Sequence, residues 1–291
     1  MAKRTLRATG LLLILAMTGF LSGCPKPFLV KNMLPIMDDL NASVNENTDV
    51  DMIRDAMPAF LLQMDGLIIS APDLKLQVKA SEAYFGYTFA FVEDVDKKRA
   101  SLLYLKARDY ALVMLRKHAK FDQNFARGLP EFKSSLSVLG GSDVPALYWA
   151  ANNWLAWIAL NLDKPEVLLD VPKVEAMLKK VIELDATYYY GAAFASLGAF
   201  YASQPKVVGG TPEKAKDYFD KAYAISGGKL LFIPLMYAKF YAYQIQDREL
   251  FVDTLEKIIA TPPERFPERA FANEVAKRKA KILLENVDEY F

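Results

Sequence analysis

Cysteine and histidine are almost missing from this chain: each occurs once, as Cys24 and His118. With one of each, no zinc constellation can be assembled. His118 closes the run Arg116-Lys117-His118 at the end of an amphipathic helix, where a basic side chain complements the helix C-terminus, so it is expected to be structural. No glycine-rich phosphate loop is present. Gly140-Gly141 and Gly209-Gly210 lack both a following Lys-Ser/Thr and a G-x-G-x-x-G context. Acid pairs such as Glu93-Asp94 fall at helix ends, where solvated caps are expected rather than a carboxylate dyad. No nucleophile is paired with a base. The chain therefore reads as a non-enzyme without cofactor or metal. Charge singles out no partner either: 36 basic residues stand against 35 acidic ones, and nucleic acid would call for a strongly basic face.

What is present starts with an export signal. Lys3, Arg4 and Arg7 precede an apolar run from Leu11 to Leu21, which is shorter than the roughly 20 residues of a membrane span. The run ends in Leu21-Ser22-Gly23-Cys24, which resembles the bacterial lipobox, where cleavage before Cys leaves a lipid-bearing N-terminus. Lipidation accounts for a cysteine that would otherwise be an unpaired thiol in an exported protein. Removing 1–23 takes three basic residues and no acidic one, so the mature chain carries 33 basic against 35 acidic residues. Residues 24–48, with Pro25, Pro27 and Pro35, read as a partly mobile stalk tethering the body to a membrane. Pro25 follows the cysteine, where Asp typically retains a lipoprotein at the inner membrane, and the choice of membrane stays open. Asp49 or Asp51 is expected to cap the first long helix of the body, 49–291.

The body is organised around Phe194 to Gly228. Its first half carries Phe194-x-x-Leu197-Gly198-x-x-Tyr201 and its second Ala215-x-x-x-Phe219-x-x-Ala222. Each spacing puts its residues on one helical stripe, with Ala and Gly where a second helix must come close. Thr211-Pro212 between them reads as a helix start, with Thr capping and Pro where no N–H is needed. This helical hairpin resembles one tetratricopeptide repeat, with the turn lengthened by Gln204 to Gly210.

One hairpin cannot bury its own apolar face, and the chain supplies neighbours. Val174-x-x-x-Leu178-x-x-Val181 and Phe251-x-x-x-Leu255-x-x-Ile258 read as further second helices. Ala80-x-x-Ala83-Tyr84-x-x-Tyr87 with Ala100-x-x-x-Tyr104-x-x-Ala107 gives another pair, and Phe60-x-x-x-Met64-x-x-Leu67 one more second helix. The first helices, at about Ala80 to Val92, Ala146 to Asn161, Tyr190 to Ala202 and Leu230 to Gln244, carry almost no charge, whereas the second helices are amphipathic. A helix apolar all round must be covered all round, so inner and outer layers are expected. Asn152, Asn153 and Asn161 argue against reading Val144 to Leu162 as a membrane span. Phe121 to Ser142, with Gly128, Pro130 and Gly140-Gly141, interrupts the repeats as an irregular or short-helical insert. The predicted fold is all-α: four or five degenerate tetratricopeptide-like hairpins forming a superhelix. Glu268 to Asn286 closes it as a capping helix whose Lys277, Arg278, Lys279 and Lys281 form a basic cluster, solvated or placed against anionic lipid headgroups.

In tetratricopeptide domains the concave groove is lined by first-helix residues just offset from the packing stripe. That offset falls here on Phe85, Phe89, Trp154, Trp157, Phe240 and Tyr243, all aromatic, where peptide-binding members more often present polar or basic side chains. Two readings stay open: the rings line an apolar ligand cavity, or they are plain core.

The lipobox, stalk, degenerate repeats, Gly-Gly-Thr-Pro-Glu-Lys-Ala turn and Ile225-Ser226-Gly227-Gly228-Lys229 repeat end together resemble the TatT family, lipoprotein components associated with TRAP (tripartite ATP-independent periplasmic) transporters. The resemblance implies a helical scaffold in the periplasm that partners a TRAP-type solute-binding protein and handles hydrophobic ligands, and it allows a homotrimer. The alternative is a helical-repeat lipoprotein of outer-membrane or pilus assembly that binds protein segments, for which a polar groove is expected.

Overall fold

The computed structural model describes residues 26–203 and 211–291, and among these there is no β-strand. The expected lipidation site at Cys24, the expected signal segment and the turn at 204–210 lie outside the described residues. The elements are α1 (Lys26–Glu46), α2 (Val50–Ser70), α3 (Leu74–Tyr87), α4 (Lys97–Arg116), α5 (Ala119–Asn124), α6 (Leu129–Ser135), α7 (Val144–Ala159), α8 (Val171–Leu184), α9 (Tyr188–Ser203), α10 (Pro212–Ser226), α11 (Phe232–Met236), α12 (Arg248–Ala260) and α13 (Ala270–Glu285). Two inner helices run on into wider π-helical turns, α3 through Thr88–Val92 and α11 through Tyr237–Ala242.

Consecutive helices pack as pairs, α3 on α4, α7 on α8, α9 on α10 and α12 on α13, and α4 also packs on α7. The residue types at the contacts are those whose size permits close approach. Ala215, Phe219 and Ala222 of α10 and Leu197, Gly198 and Tyr201 of α9 are all buried, with Gly198 against the Phe219 ring. The same holds for Ala100, Tyr104 and Ala107 of α4. Every residue of α9 from Gly191 to Ala202 is buried, whereas α10 buries only Pro212, Ala215, Phe219, Ala222 and Ser226. Uncharged helices thus lie inside and amphipathic ones outside. Between the α3/α4 and α7/α8 pairs, α5, α6 and two short 3-10 turns form the interruption that glycine and proline foreshadow.

Helix starts follow carboxylates. Asp49, Asp73, Asp96 and Asp247 each accept hydrogen bonds from the first-turn amides of the helix that follows, satisfying donors that have no intrahelical partner. At α10, Pro212 sits in the first turn as expected, but the Thr211 side chain makes no capping hydrogen bond. At the other end Gly227 takes a left-handed φ of 61° and its amide bonds back to the Tyr223 carbonyl, the conformation glycine adopts at a helix end without steric cost.

Residues 26–46, expected as a partly mobile stalk, are helical. Val30 and Met37 project seven residues apart and pack with Met64 and Ile68 of α2 and Leu76 and Ala80 of α3. Apolar burial outweighs the helix-breaking tendency of Pro35, which lies on the exposed side. The helix α1 also packs on α13, so the first and last described helices meet. Arg278 of α13 makes a two-pronged pair with Asp51 of α2 at 2.8 and 3.0 Å, and Lys79 of α3 pairs with Asp38 of α1. The basic cluster on α13 is split rather than uniformly solvated. Arg278 and Lys281 are exposed, but Lys277 and Lys279 are buried beside Glu274 and Asp94.

Candidate functional site

The inner helices do not close on one another completely. On α7 and α9 their facing residues are small, Ala156, Ala159, Ala195 and Ala199. Opposite stand the large side chains Phe85 and Phe89 from α3 and its π turn, and Phe232, Met236 and Phe240 from α11 and the turn beyond it. The mismatch leaves a cavity of about 480 Å³. A second cavity of about 120 Å³ lies among Met57, Glu82, Tyr148, Trp149, Tyr189 and Phe271. Phe85, Phe89 and Phe232 line both.

Polar groups are few and each is placed. In the larger cavity Asn152 of α7 is buried, and its Oδ1 accepts from Ser196 Oγ of α9 at 2.9 Å. The Asn152 Nδ2 has no hydrogen-bond partner, a donor whose desolvation costs about 1–3 kcal/mol if unmatched. At another part of the wall Lys279 Nζ lies 2.5 Å from Asp94 Oδ2 and 3.9 Å from Glu93 Oε1, with Lys239 Nζ 3.6 Å from the same Glu93 oxygen. The Tyr104 hydroxyl donates to Glu93 Oε2 at 2.6 Å. Burial, then the adjacent Glu93 charge, pushes the Tyr104 phenol well above its ordinary range, so it stays a donor. The Lys279 ammonium also stands 4.4 Å from the centre of the Phe89 ring, within cation–π range.

The smaller cavity has a strained wall. Tyr189, Tyr190 and Gly191 have φ of 47°, 60° and 76°, a left-handed run that costs roughly 1–2 kcal/mol per non-glycine residue. It is over-determined by packing. Tyr189 stacks on Tyr148 at 5.9 Å and meets Trp149 edge-on at 5.0 Å. Arg269 lies 4.6 Å over the Tyr189 ring and donates to its hydroxyl at 3.2 Å. The carboxyl of Glu82 is pushed above its ordinary range by burial, which outweighs the attraction of Arg269 and Lys79.

The six aromatic positions singled out from sequence divide. Phe85 and Phe89 border both cavities and Phe240 the larger one. Trp154 lines neither. It is 3% exposed and stacks on Phe125 at 5.5 Å, with the Arg108 guanidinium 5.2 Å from its ring centre. Trp157 packs half-buried between two core clusters, and Tyr243 lies toward the surface against Tyr290. On α7 the cavity wall is Asn152, Leu155, Ala156 and Ala159 instead. Phe232, Tyr189, Asn152 and Lys279 were not anticipated. Lys279 had a signal: it interrupts the stripe Val275-x-x-x-Lys279-x-x-x-Leu283, where a lysine must find a partner or stay wet. His118 sits at the end of α4 with Nε2 3.1 Å from Asp143 Oδ2. Burial alone would raise the Asp143 carboxyl, but the Gly140 amide, His118 and Lys117 together hold it below its ordinary value. Among the described residues no group of three or more His, Cys, Asp or Glu side chains could hold a metal ion.

Fold and site define a class: an all-α protein of paired helices whose sparsely charged inner layer borders an aromatic-walled cavity. Residues 46–291 match the family described as TAtT, TRAP transporter T-component, and the chain belongs to that family. It is thereby a component of TRAP transporters. An uncharacterised protein of Treponema pallidum (strain Nichols) is 24% identical over 270 residues, spanning 87% of this chain and 84% of that protein. Among the described residues no helix is long and apolar enough to cross a membrane.

Proposed function

We propose that this chain is a non-catalytic, lipid-tethered periplasmic scaffold of a TRAP transporter that holds an apolar ligand in its inner cavity and partners the solute-binding protein. The observation that carries the reading is the larger cavity. Its volume of about 480 Å³ falls within the range of small-molecule sites, and its few polar groups among apolar walls are what such sites present. The paired helices support a tetratricopeptide-like superhelix, with α13 as its cap, and a homotrimer is compatible with the family. Membrane attachment is through lipid on Cys24, with α1 linking the anchor to the body.

The test is titration of the purified protein with N-phenyl-1-naphthylamine, a neutral apolar fluorophore. Saturable binding, displaced by other apolar molecules, is expected, and a linear, non-saturating response would overturn the reading. The tether is checked separately: Cys24→Ser is expected to abolish metabolic labelling with fatty acid. Co-purification with a TRAP solute-binding protein checks the partner.

A further inference from the structure

Three aromatic rings, Phe85, Phe89 and Phe232, line both cavities. Phe85 and Phe89 stack nearly parallel, 6.0 Å apart at 5°, and Phe232 meets Phe89 edge-on at 5.4 Å. All three are half-buried although they lie inside the molecule.

The three rings are not held equally. Phe85 is backed by Trp149 at 5.5 Å and Tyr104 at 5.7 Å, both almost fully buried. Phe89 lies in the π turn Thr88–Val92, its ring contacts are with Phe85 and Phe232 themselves, and the Lys279 ammonium, tied to Asp94, stands beside it. A ring that borders two cavities sets how far an occupant reaches.

We propose that Phe89 is the length-determining residue of this site: its ring borders both cavities and limits the occupant of the larger one to an alkyl chain that ends there. The occupant is an elongated, single-chain apolar molecule, because it lies between these rings and the small apolar residues Ala156, Ala159, Ala195 and Ala199. The inference rests on the reading that the larger cavity binds an apolar ligand. The smaller cavity is the space that removing the ring would add.

The experiment is displacement of N-phenyl-1-naphthylamine from the full chain by a series of straight-chain 1-alkanols. With the parent protein, affinity is expected to rise roughly fourfold per methylene and then level off at one chain length. Phe89→Ala is expected to move that limit to longer alkanols, and Phe89→Leu to do so by less. Phe89→Trp should leave the limit unchanged or shorten it. Melting temperature and helix content identify folded variants, and Phe89→Leu carries the test if Phe89→Ala does not fold. The same limit in the parent and in the folded smaller variants would overturn the proposal while leaving the ligand-binding reading intact, as would a rise with no limit in the parent. Absence of saturable probe binding by the parent would overturn both.

Discussion

Replacing glycine by alanine in this protein should have opposite effects at two helical positions, because space differs while backbone conformation does not. At Gly198 of α9, an added Cβ would come within 2.8–2.9 Å of the Cδ2, Cε2 and Cγ atoms of Phe219, closer than carbon atoms pack. The ring cannot retreat: Phe219 is 2% exposed, lies between the fully buried Ala215 and Ala222, and meets Tyr237 edge-on at 5.5 Å. Overpacking of this kind costs about 1–3 kcal/mol, against about 1 kcal/mol gained by exchanging glycine for alanine in a helix. The net expectation for Gly198→Ala is a loss of about 1 kcal/mol, up to about 2 kcal/mol, or a fall in melting temperature of roughly 2–8 °C for a domain of this size. Gly66 of α2 is exposed and has nothing within 4 Å of its added Cβ. Gly66→Ala should therefore stabilise, by about 0.5–1 kcal/mol. Thermal melts followed by far-ultraviolet circular dichroism measure both. In the double variant Gly198→Ala, Phe219→Leu, the loss should be smaller than the sum of the two single losses, because a smaller side chain removes the clash. A Gly198→Ala protein that melts at or above the parent temperature would refute the close approach of α9 and α10.

Other perturbations follow from the same geometry. Trp154→Ala should cost about 3–5 kcal/mol, as for a packed core ring, and leave probe affinity unchanged. Phe240→Ala, at a wall without a partner on one side, should cost less and weaken the probe, and the opposite pattern would sink the assignment of the cavity walls. Asp65 accepts from Lys106 at 2.5 Å, Tyr110 at 2.6 Å and Tyr84 at 2.8 Å. Burial pushes its carboxyl up, but these three bonds outweigh burial and hold it below its ordinary value. A depressed carboxyl stabilises the fold above its unfolded value and ceases to do so as pH falls through its folded value. Asp65→Asn should therefore lose about 1.5–3 kcal/mol at neutral pH, a difference that closes as pH drops below about 4; a pH-independent difference in urea melts would contradict this. Arg278→Ala should lower the melting temperature more at low salt than at high salt, because its pair with Asp51 is exposed and screened. Equal losses at both salt concentrations would remove charge from the explanation.

The helix pairs were legible because close packing leaves its mark on residue size: Gly198, Ala215 and Ala222 recur where no larger side chain fits. The inner layer was legible because Val144 to Leu162 and Ala186 to Pro205 carry no charge. The helix over 26–46 was not, since its buried face rests on little more than Val30 and Met37, while Pro35 signals a break. Trp154 was placed on the groove by an offset carried along the helix, and the structure turns it toward Phe125 on the insert instead. The left-handed run at Tyr189 and Tyr190 has no local signal, because two tyrosines do not favour it and only the surrounding rings impose it. A cavity is harder still to read. It depends on the distance at which the walls stand, and no single residue encodes that distance.

The meeting of α1 and α2 with α13 sets the order in which this protein must fold. Pairs such as α9 and α10 are joined locally and form with little loop to close, whereas joining Asp51 to Arg278 closes 227 residues. By the logarithmic loop law that closure costs roughly 5 kcal/mol in a fully flexible chain, more than an exposed ion pair returns. Preformed hairpins reduce the cost by stiffening the chain between the ends, so the junction is made after them, and its amides are expected to be among the first to exchange with solvent. The cavity behind Lys279 is complete only once α13 has docked, since its Lys279, Ile282 and Leu283 line the wall. An occupant therefore slows hydrogen exchange in α13 above all, recording its presence at the seam where the chain closes.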